Sequence, residues 1–283
     1  MALVAKPAGP TSHDVVDAVR RVLGERRVGH LGTLDPFAAG LLVVVVGRAT
    51  RLAPFAAAWT KSYEGVVRLG ATTTTDDATG AVLATDDSWR DVTAEQVTRA
   101  LARLRGVREQ RPPAYSALKV AGERAYRRAR RGEAVSLAPR PVEVHELDLV
   151  ELAPPDVRFR ATVSAGTYLR SLARDLGEAL GCGAHLAALT RTRAGPFRLA
   201  DAVAPDAVRA DALRDPAALV GDLPRRELDG DERSAVVHGR PLKVESGERG
   251  AGGTVALFAA GALVAVADVE GDLLKPRVVV AEA

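Results

Sequence analysis

The chain has 283 residues, 47% of them apolar and 27% charged, with a formal net charge of +3. These proportions sit near the globular average and exclude disorder as the main state; the length allows one large domain or two unequal ones around a sizeable core. Its one cysteine, Cys182, excludes an internal disulfide and a thiolate metal cage, which suits a reducing cytosol, so a cytoplasmic location is expected.

The N-terminal stretch "MALVAKPAGPTSHD" has neither the basic leader nor the apolar core of a signal peptide. Val15, Val16, Val19 and Val22 recur at helical spacing, which predicts a short amphipathic helix over 13–24 with Ser12 as its cap. Leu41–Val46 is short and rich in β-branched residues, so it reads as a buried strand. "YEGVVRLG" (63–70) alternates as a second strand and leads into a polar loop, "GATTTTDDATG". Thr93 is the expected cap of a helix from Ala94 to about Arg105, with Glu95 in its first turn.

The consecutive prolines of "RPPAYSALKV" force extended geometry, after which "GERAYRRARRGE" (122–133) reads as a short basic helix ending at Gly132. Residues 142–152 and 157–164 alternate as strands. Gly166 and Thr167 open a helix to about Leu180, with Leu169, Leu172, Ala173, Leu176 and Leu180 on its buried stripe. From residue 253 onward, three short strands joined by glycine turns are expected. The apolar run Val255–Ala267 is 13 residues with a glycine inside, shorter than the ~20 that a membrane-spanning helix requires. Strands and helices mix without regular βαβ alternation, which places the chain in the α+β class.

Charge is unevenly spread. Residues 101–140 hold eleven Lys/Arg and three acids, whereas residues 224–283 hold eight basic and ten acidic side chains. A concentrated basic segment fits a polyanionic partner met at one surface, or else a solvated helix face. The change of sign near "GDLPRREL" (221–228) marks a domain boundary, giving domains 1–222 and 223–283.

No phosphate-binding P-loop, complete dinucleotide fingerprint, zinc-ligand spacing or G-x-S-x-G elbow is present. Attention therefore falls on "GHLGTLDPFAAGLLVVVVG" (29–47), where Asp35 precedes Pro36. Taken alone, Asp-Pro is a helix cap or turn opener. Its company is unusual: Gly29, Gly32 and Gly40 allow close backbone approach or positive φ, and His30 lies five residues upstream.

"KPAGPTSHDVV" (6–16), "GHLGTLDPFAAGLL" (29–42), "KSYEGVVRLGATTTTDDATG" (61–80), "QRPPAYSALKVAGERAYRRARRGE" (110–133) and "SAGTYLRSLARDLGEALGCGAHLAALTRT" (164–192) occur in that order. Together they resemble the TruB-type tRNA pseudouridine-55 synthases over residues 6 to about 197. The resemblance implies a mixed, mostly antiparallel central sheet flanked by helices, and a small C-terminal PUA-like β-barrel. It implies isomerisation of one uridine in the tRNA T-arm to pseudouridine by base flipping, without metal or cofactor, by a monomer. By the same resemblance Asp35, Tyr63 and Arg170 are the catalytic residues: Asp35 the nucleophile, Arg170 its partner, and Tyr63 the active-site tyrosine that stacks on the target base and is a candidate for proton transfer. His30 contacts RNA in the gap left by the flipped nucleotide, while Tyr168 and Leu189 line the uridine pocket. Lys6 and Pro7 support the site. The insertion at about 112–140 grips RNA, with backbone contacts from Lys119, Arg124, Arg127, Arg128, Arg130 and Arg131.

Each residue also has a plainer reading. Arg170 could lie on a solvated helix face with Arg174 and Glu178 one and two turns on, Tyr63, Tyr168 and Leu189 could be core, and His30 a surface loop residue. At the level of function, the alternatives are a non-catalytic tRNA-binding or tRNA-folding protein on the same fold, and a glycosidase pairing Asp35 with Asp77.

Overall fold

The computed structural model describes residues 1–120, 122–245 and 253–282. In chain order, β1 (Ala2–Lys6), α1 (Ser12–Leu23), β2 (Val28–Leu31), β3 (Ala39–Val46) and β4 (Lys61–Leu69) form the first half of the main layer. A small hairpin of β5 (Ala71–Thr73) and β6 (Val82–Thr85) precedes α2 (Ala94–Arg103) and β7 (Gly106–Gln110). Next come a second hairpin, β8 (Lys119–Val120) and β9 (Glu123–Arg124), and the short helix α3 (Ala125–Arg130). Then β10 (Arg140–Ala153), β11 (Asp156–Val163), α4 (Leu169–Leu180), β12 (Ala184–Ala194) and β13 (Phe197–Arg198) complete the layer. The C-terminal part holds β14 (Arg225–Glu227), α5 (Gly230–Val237), β15 (Leu242–Lys243), β16 (Thr254–Ala259), β17 (Ala262–Glu270) and β18 (Leu273–Val279).

The main sheet runs β1-β3-β12-β4-β11-β10-β7, with β2 beside β3 and β13 beside β12. Every pairing in it is antiparallel except β3 with β12, where Thr190 faces Ala39 and Arg191 faces Gly40. The sheet is therefore mixed and mostly antiparallel, as expected.

The unbroken apolar run in β3 follows from burial on both faces. Leu42 and Val44 pack with Val15, Val16 and Val19 of α1, and Leu41, Val43 and Val45 pack with Ala256, Phe258 and Val266 of the C-terminal sheet. Each fully buried valine contributes roughly 1.5–3 kcal/mol. On the other half of the main sheet, α2 and α4 cover Val67, Leu147 and Phe159 through Val97, Leu101, Leu172 and Leu176.

Several local expectations are corrected. The cap of α1 is Thr11, not Ser12: Thr11 and Asp14 exchange backbone and side-chain hydrogen bonds in a capping box. Ser12 is released to bond Leu34, donating to its carbonyl at 3.0 Å and accepting from its N–H at 2.9 Å. The basic helix is shorter than 122–133, because Glu123 and Arg124 pair with Val120 and Lys119 before α3 begins. Helix α4 starts at Leu169, since Gly166 takes a left-handed φ of +84° that no helix can include.

The three C-terminal strands form as expected, but a closed barrel is not found. Their sheet runs β14-β16-β17-β18-β15, and among the described residues β14 and β15 do not pair, leaving a half-barrel. These edge strands have only three and two residues, too few to close a ring. Residues 246–252 and 283 of the expected second domain, and Ala121 of the expected insertion, lie outside the described residues.

Gly40 has φ +112°, and a Cβ there would lie 2.4 Å from the Arg191 carbonyl oxygen, so its close approach is to β12 and not to a ligand. Gly9 has a similar φ of +109° but nothing within 4 Å. Gly40→Ala is therefore expected to lower the melting temperature well beyond Gly9→Ala, by an overpacking penalty of about 1–3 kcal/mol on top of the shared backbone strain. Thermal unfolding of the two variants checks this; equal losses would mean that β3 and β12 separate at little cost.

Candidate active site

Asp35 stands on a turn that precedes β3, closed by the Ala38 N–H donating to the Asp35 carbonyl at 3.1 Å. The N-terminal motif holds this turn from beneath. Lys6, only 1% exposed, donates through Nζ to the carbonyls of Pro36 (3.3 Å), Ala38 (2.6 Å) and Pro7 (2.9 Å). Gly9 N–H donates to the Pro36 carbonyl at 2.8 Å, and Ser12 clamps Leu34. From the sheet side Arg191, also 1% exposed, donates to the carbonyls of Leu41 (2.7 Å) and Gly32 (2.9 Å). Buried cations thus satisfy the turn's carbonyls from both sides and restrict where the Asp35 carboxylate can point.

Arg170, in the first turn of α4, is buried rather than solvated; the plainer reading fails because its side chain is turned inward, 5% exposed against 37% for Asp35. Its Nη2 donates to Asp35 Oδ1 at 3.2 Å, and Nε approaches Oδ2 to 2.9 Å without hydrogen-bond geometry. The same guanidinium donates to the carbonyls of Thr75 (3.0 Å) and Tyr115 (2.9 Å). Asp77 Oδ2 lies 3.6 Å from Nη1. Asp77 is 5% exposed, and its other oxygen accepts from Thr75 Oγ1, Thr79 Oγ1 and Thr79 N–H. It is a buried structural carboxylate, with no open face from which to activate water as the glycosidase alternative requires.

Burial pushes the Asp35 carboxyl above its ordinary value of 3.8; the Arg170 charge opposes the shift, and Asp77 adds to it. The same burial lowers the Lys6 ammonium, with Asp35 opposing.

Tyr63 on β4 and Leu189 on β12 are both buried, in one cluster with Leu34, Ala38 and Leu169. They therefore lie on the face of the sheet that carries the Asp35 turn. Tyr168 caps α4, and Gln110 fixes it in place: its N–H donates to Gln110 Oε1 at 2.8 Å, and Gln110 Nε2 donates back to its carbonyl at 3.1 Å. Burial raises the Tyr168 phenol, and Arg170 opposes this. His30 sits half-buried on β2 opposite Val44, with Nδ1 buried and unpartnered. Burial and the nearby Arg191 charge lower its pKa, so the ring is neutral at pH 7.

The basic segment is tied to the site through the Tyr115 carbonyl. Lys119, Arg124, Arg127 and Arg130 are exposed, and Arg131 and Arg128 are paired with Glu123 and Glu133. A cleft of about 340 Å³ between α2 and α4, lined by Gln96, Arg99 and Arg103, lies apart from Asp35. Among the described residues no cluster of three or more His, Cys, Asp or Glu is placed to hold a metal ion, and no helix is long and apolar enough to cross a membrane.

Sequence reasoning missed Arg191, Gln110 and the carbonyls of Thr75 and Tyr115. Backbone acceptors carry no residue-type signal, and Arg191 in a strand looks like any surface arginine. The only available hint was the proline pair before Tyr115, which implied a fixed loop.

A family model described as "TruB family pseudouridylate synthase (N terminal domain)" matches residues 20–169, and one described as "tRNA pseudouridylate synthase B C-terminal domain" matches 170–220. The chain is 47% identical to a tRNA pseudouridine synthase B of Thermobifida fusca, over 99% of this chain and 97% of the relative. It is 42% identical to one of an Arthrobacter species, over 99% and 96%. Among solved structures, an H/ACA RNP bound to a substrate RNA containing 2′-deoxyuridine matches with a TM-score of 0.70 and 25% identity, over 98% of this chain and 84% of that one. A Cbf5-Nop10-Gar1 complex matches with a TM-score of 0.72 and 26% identity, over 99% and 85%. The chain belongs to the TruB family of pseudouridylate synthases.

Proposed function

We propose that this protein isomerises uridine to pseudouridine at position 55 in the T-loop of tRNA, with Asp35 as the nucleophile. The observation that carries the reading is the ion pair of Asp35 with the buried Arg170, in a chain 47% identical to a tRNA pseudouridine synthase B over nearly its whole length. A carboxylate that attacks must be an anion, and a desolvated carboxylate resists ionising unless a cation stands beside it. The guanidinium supplies that charge and, because it is anchored to two carbonyls, cannot follow the carboxylate if it swings away.

The reaction cleaves the N1–C1′ bond, turns the uracil and joins C5 to C1′, with no net electron transfer. A base inside folded RNA is out of reach, so the nucleotide must be everted at a cost of a few kcal/mol. Tyr63 stacks on the everted base, worth about 1–3 kcal/mol, while Leu189 and Tyr168 wall it in. His30, neutral and at the rim, contacts the RNA that the base has left. Lys119, Arg124, Arg127 and Arg130 engage phosphates directly, and Arg128 and Arg131 do so by exchanging their exposed glutamate partners, a cheap exchange because such pairs contribute little. Domain 1–222 holds the chemistry. Residues 223–283 are read as a PUA-like domain whose half-barrel joins the apolar cluster on the outer face of β3. The intact Asp35–Arg170 pair weighs against a folding protein without turnover, which would have no use for a costly buried charge.

Four outcomes are expected. Position-resolved mapping of an unmodified tRNA transcript should show pseudouridine at position 55 and nowhere else in the T-loop; tight binding without product would restore the folding-protein alternative. Asp35→Asn should abolish product while keeping RNA binding. Because the folded-state pKa of Asp35 is raised, its ionisation costs stability above the unfolded value of 3.8, so this variant should melt no lower than wild type at pH 7 and its advantage should vanish below that value. The acid limb of kcat/KM should likewise lie above 3.8. Arg170→Ala leaves two carboxylates without their cation and should cost about 3 kcal/mol, the lower end for broken buried pairs because Asp35 is partly open to water, along with activity. A fully active, fully stable Arg170→Ala protein would overturn the pairing.

A further inference from the structure

Three cations beneath the Asp35 turn lack the partner that buried charge normally requires. Among the described residues Arg191, Lys61 and Lys6 make no ion pair with a carboxylate; their contacts are carbonyl oxygens. For Lys6 that is a complete explanation, since its three donors each meet a carbonyl of the turn it supports. For the other two it is not. Arg191 Nη1 reaches only the Thr33 carbonyl, at 3.5 Å, which is too long for a good hydrogen bond. Lys61, half-buried, has Nζ on the single carbonyl of Trp59 at 2.5 Å, leaving two of its protons unused. Two like charges are thus held together without an anion, and burial, with Arg191 adding to it, lowers the Lys61 ammonium to about 8.

The place where they meet is open on one side. Gly32 has φ +80°, and the position a side chain would take lies 3.4 Å from Arg191 Nη1 and 3.8 Å from Lys61 Cε. Gly32 and Thr33 are both exposed, so the notch that the missing side chain leaves faces solvent. It is also aligned with the base pocket. Tyr63 and Arg191 are cross-strand partners, and on the same face Leu189, opposite Gly65, and Lys61 flank that pair on its two sides, each two residues along its strand. Lys61 is therefore about 6.6 Å along β4 from Tyr63.

We propose that Lys61, backed by the charge of Arg191 and bounded by Gly32 and Thr33, binds a backbone phosphate flanking the target uridine. This rests on the reading that Tyr63 and Leu189 enclose the everted base, and it adds a specific anion subsite to the broad basic surface of residues 119–131. Because Arg191 is buried, its contribution is its field, and the direct contact comes from Lys61 and the loop edge. The phosphate would supply the missing counter-charge at the moment the nucleotide enters, so affinity gained at the backbone is spent on eversion.

The test is a cycle between protein and RNA, in the Asp35→Asn background so that binding is read without turnover. Lys61→Met keeps the apolar stem and removes the charge, and Lys61→Arg restores it. Each is titrated with a T-arm stem-loop carrying ordinary phosphates, and with two others carrying a neutral methylphosphonate 5′ or 3′ of the target uridine. Lys61→Met should weaken binding to the ordinary RNA and lower the slope of log Kd against log salt by about one, while Lys61→Arg retains the wild-type slope. One of the two methylphosphonates should weaken wild type by the same factor and cost Lys61→Met nothing further. An unchanged salt slope in Lys61→Met, or losses that multiply at both phosphates, would overturn the proposal. Pseudouridine formation by the Asp35-containing protein on the ordinary stem-loop is measured alongside; its failure would sink the proposed function while leaving the phosphate cycle to be decided on its own.

Discussion

One guanidinium organises this site. Arg170 touches four segments that are remote in sequence: the turn at Asp35, the loop carrying Thr75 and Asp77, the proline-led loop at Tyr115, and its own helix. Each of the first three presents it with negative charge or a carbonyl dipole, so the loops converge on a common cation. That convergence is costly, because a buried arginine must be satisfied on every side. It is also selective: a loop that fails to arrive leaves part of the charge bare. Asp35, its side chain 37% exposed, stays partly open to water, which leaves the carboxylate both paired and reachable.

The fold places that pair by a single topological exception. All neighbours in the main sheet run antiparallel except β3 and β12, and the Asp35 turn enters the sheet at this parallel junction. Gly40 lets the two backbones close there, Arg191 sends its side chain under the turn, and Lys6 supports it from β1. The apolar run of β3 that follows is buried between α1 on one face and, on the other, a cluster of Ala49, Leu52 and Ala56 that continues into the C-terminal sheet, so the turn hangs from a strand held on both sides. A rigid strand, two buried cations and one clamp at Ser12 thereby convert a common Asp-Pro turn into a fixed carboxylate.

Much of this was legible in the sequence. Helical spacing of valines located α1, alternation located β4 and β11, and Asp35 and Arg170 were singled out by the motifs around them. The errors were local and physical. Ser12 and Thr11 are adjacent, equally able caps, and only the Asp14 partner and the three-dimensional position of Leu34 decide between them. Of the expected barrel, the described residues form a half-barrel, whose edge strands of two and three residues look, in sequence, like the turns around them. The carbonyls that hold Arg170, and the meeting of Arg191 with Lys61 beside Gly32, were invisible because main-chain acceptors have no sequence signature and proximity across strands is a property of space.

The core of the account is that Arg170 keeps a desolvated Asp35 ionised. Its most direct measurement is the carboxyl carbon resonance of Asp35 followed through an acid titration, in the wild-type protein and in Arg170→Gln. The account requires a wild-type midpoint displaced upward from 3.8 and a further upward displacement once the guanidinium is gone. A midpoint at the ordinary aspartate value, unmoved by the loss of Arg170, would contradict it.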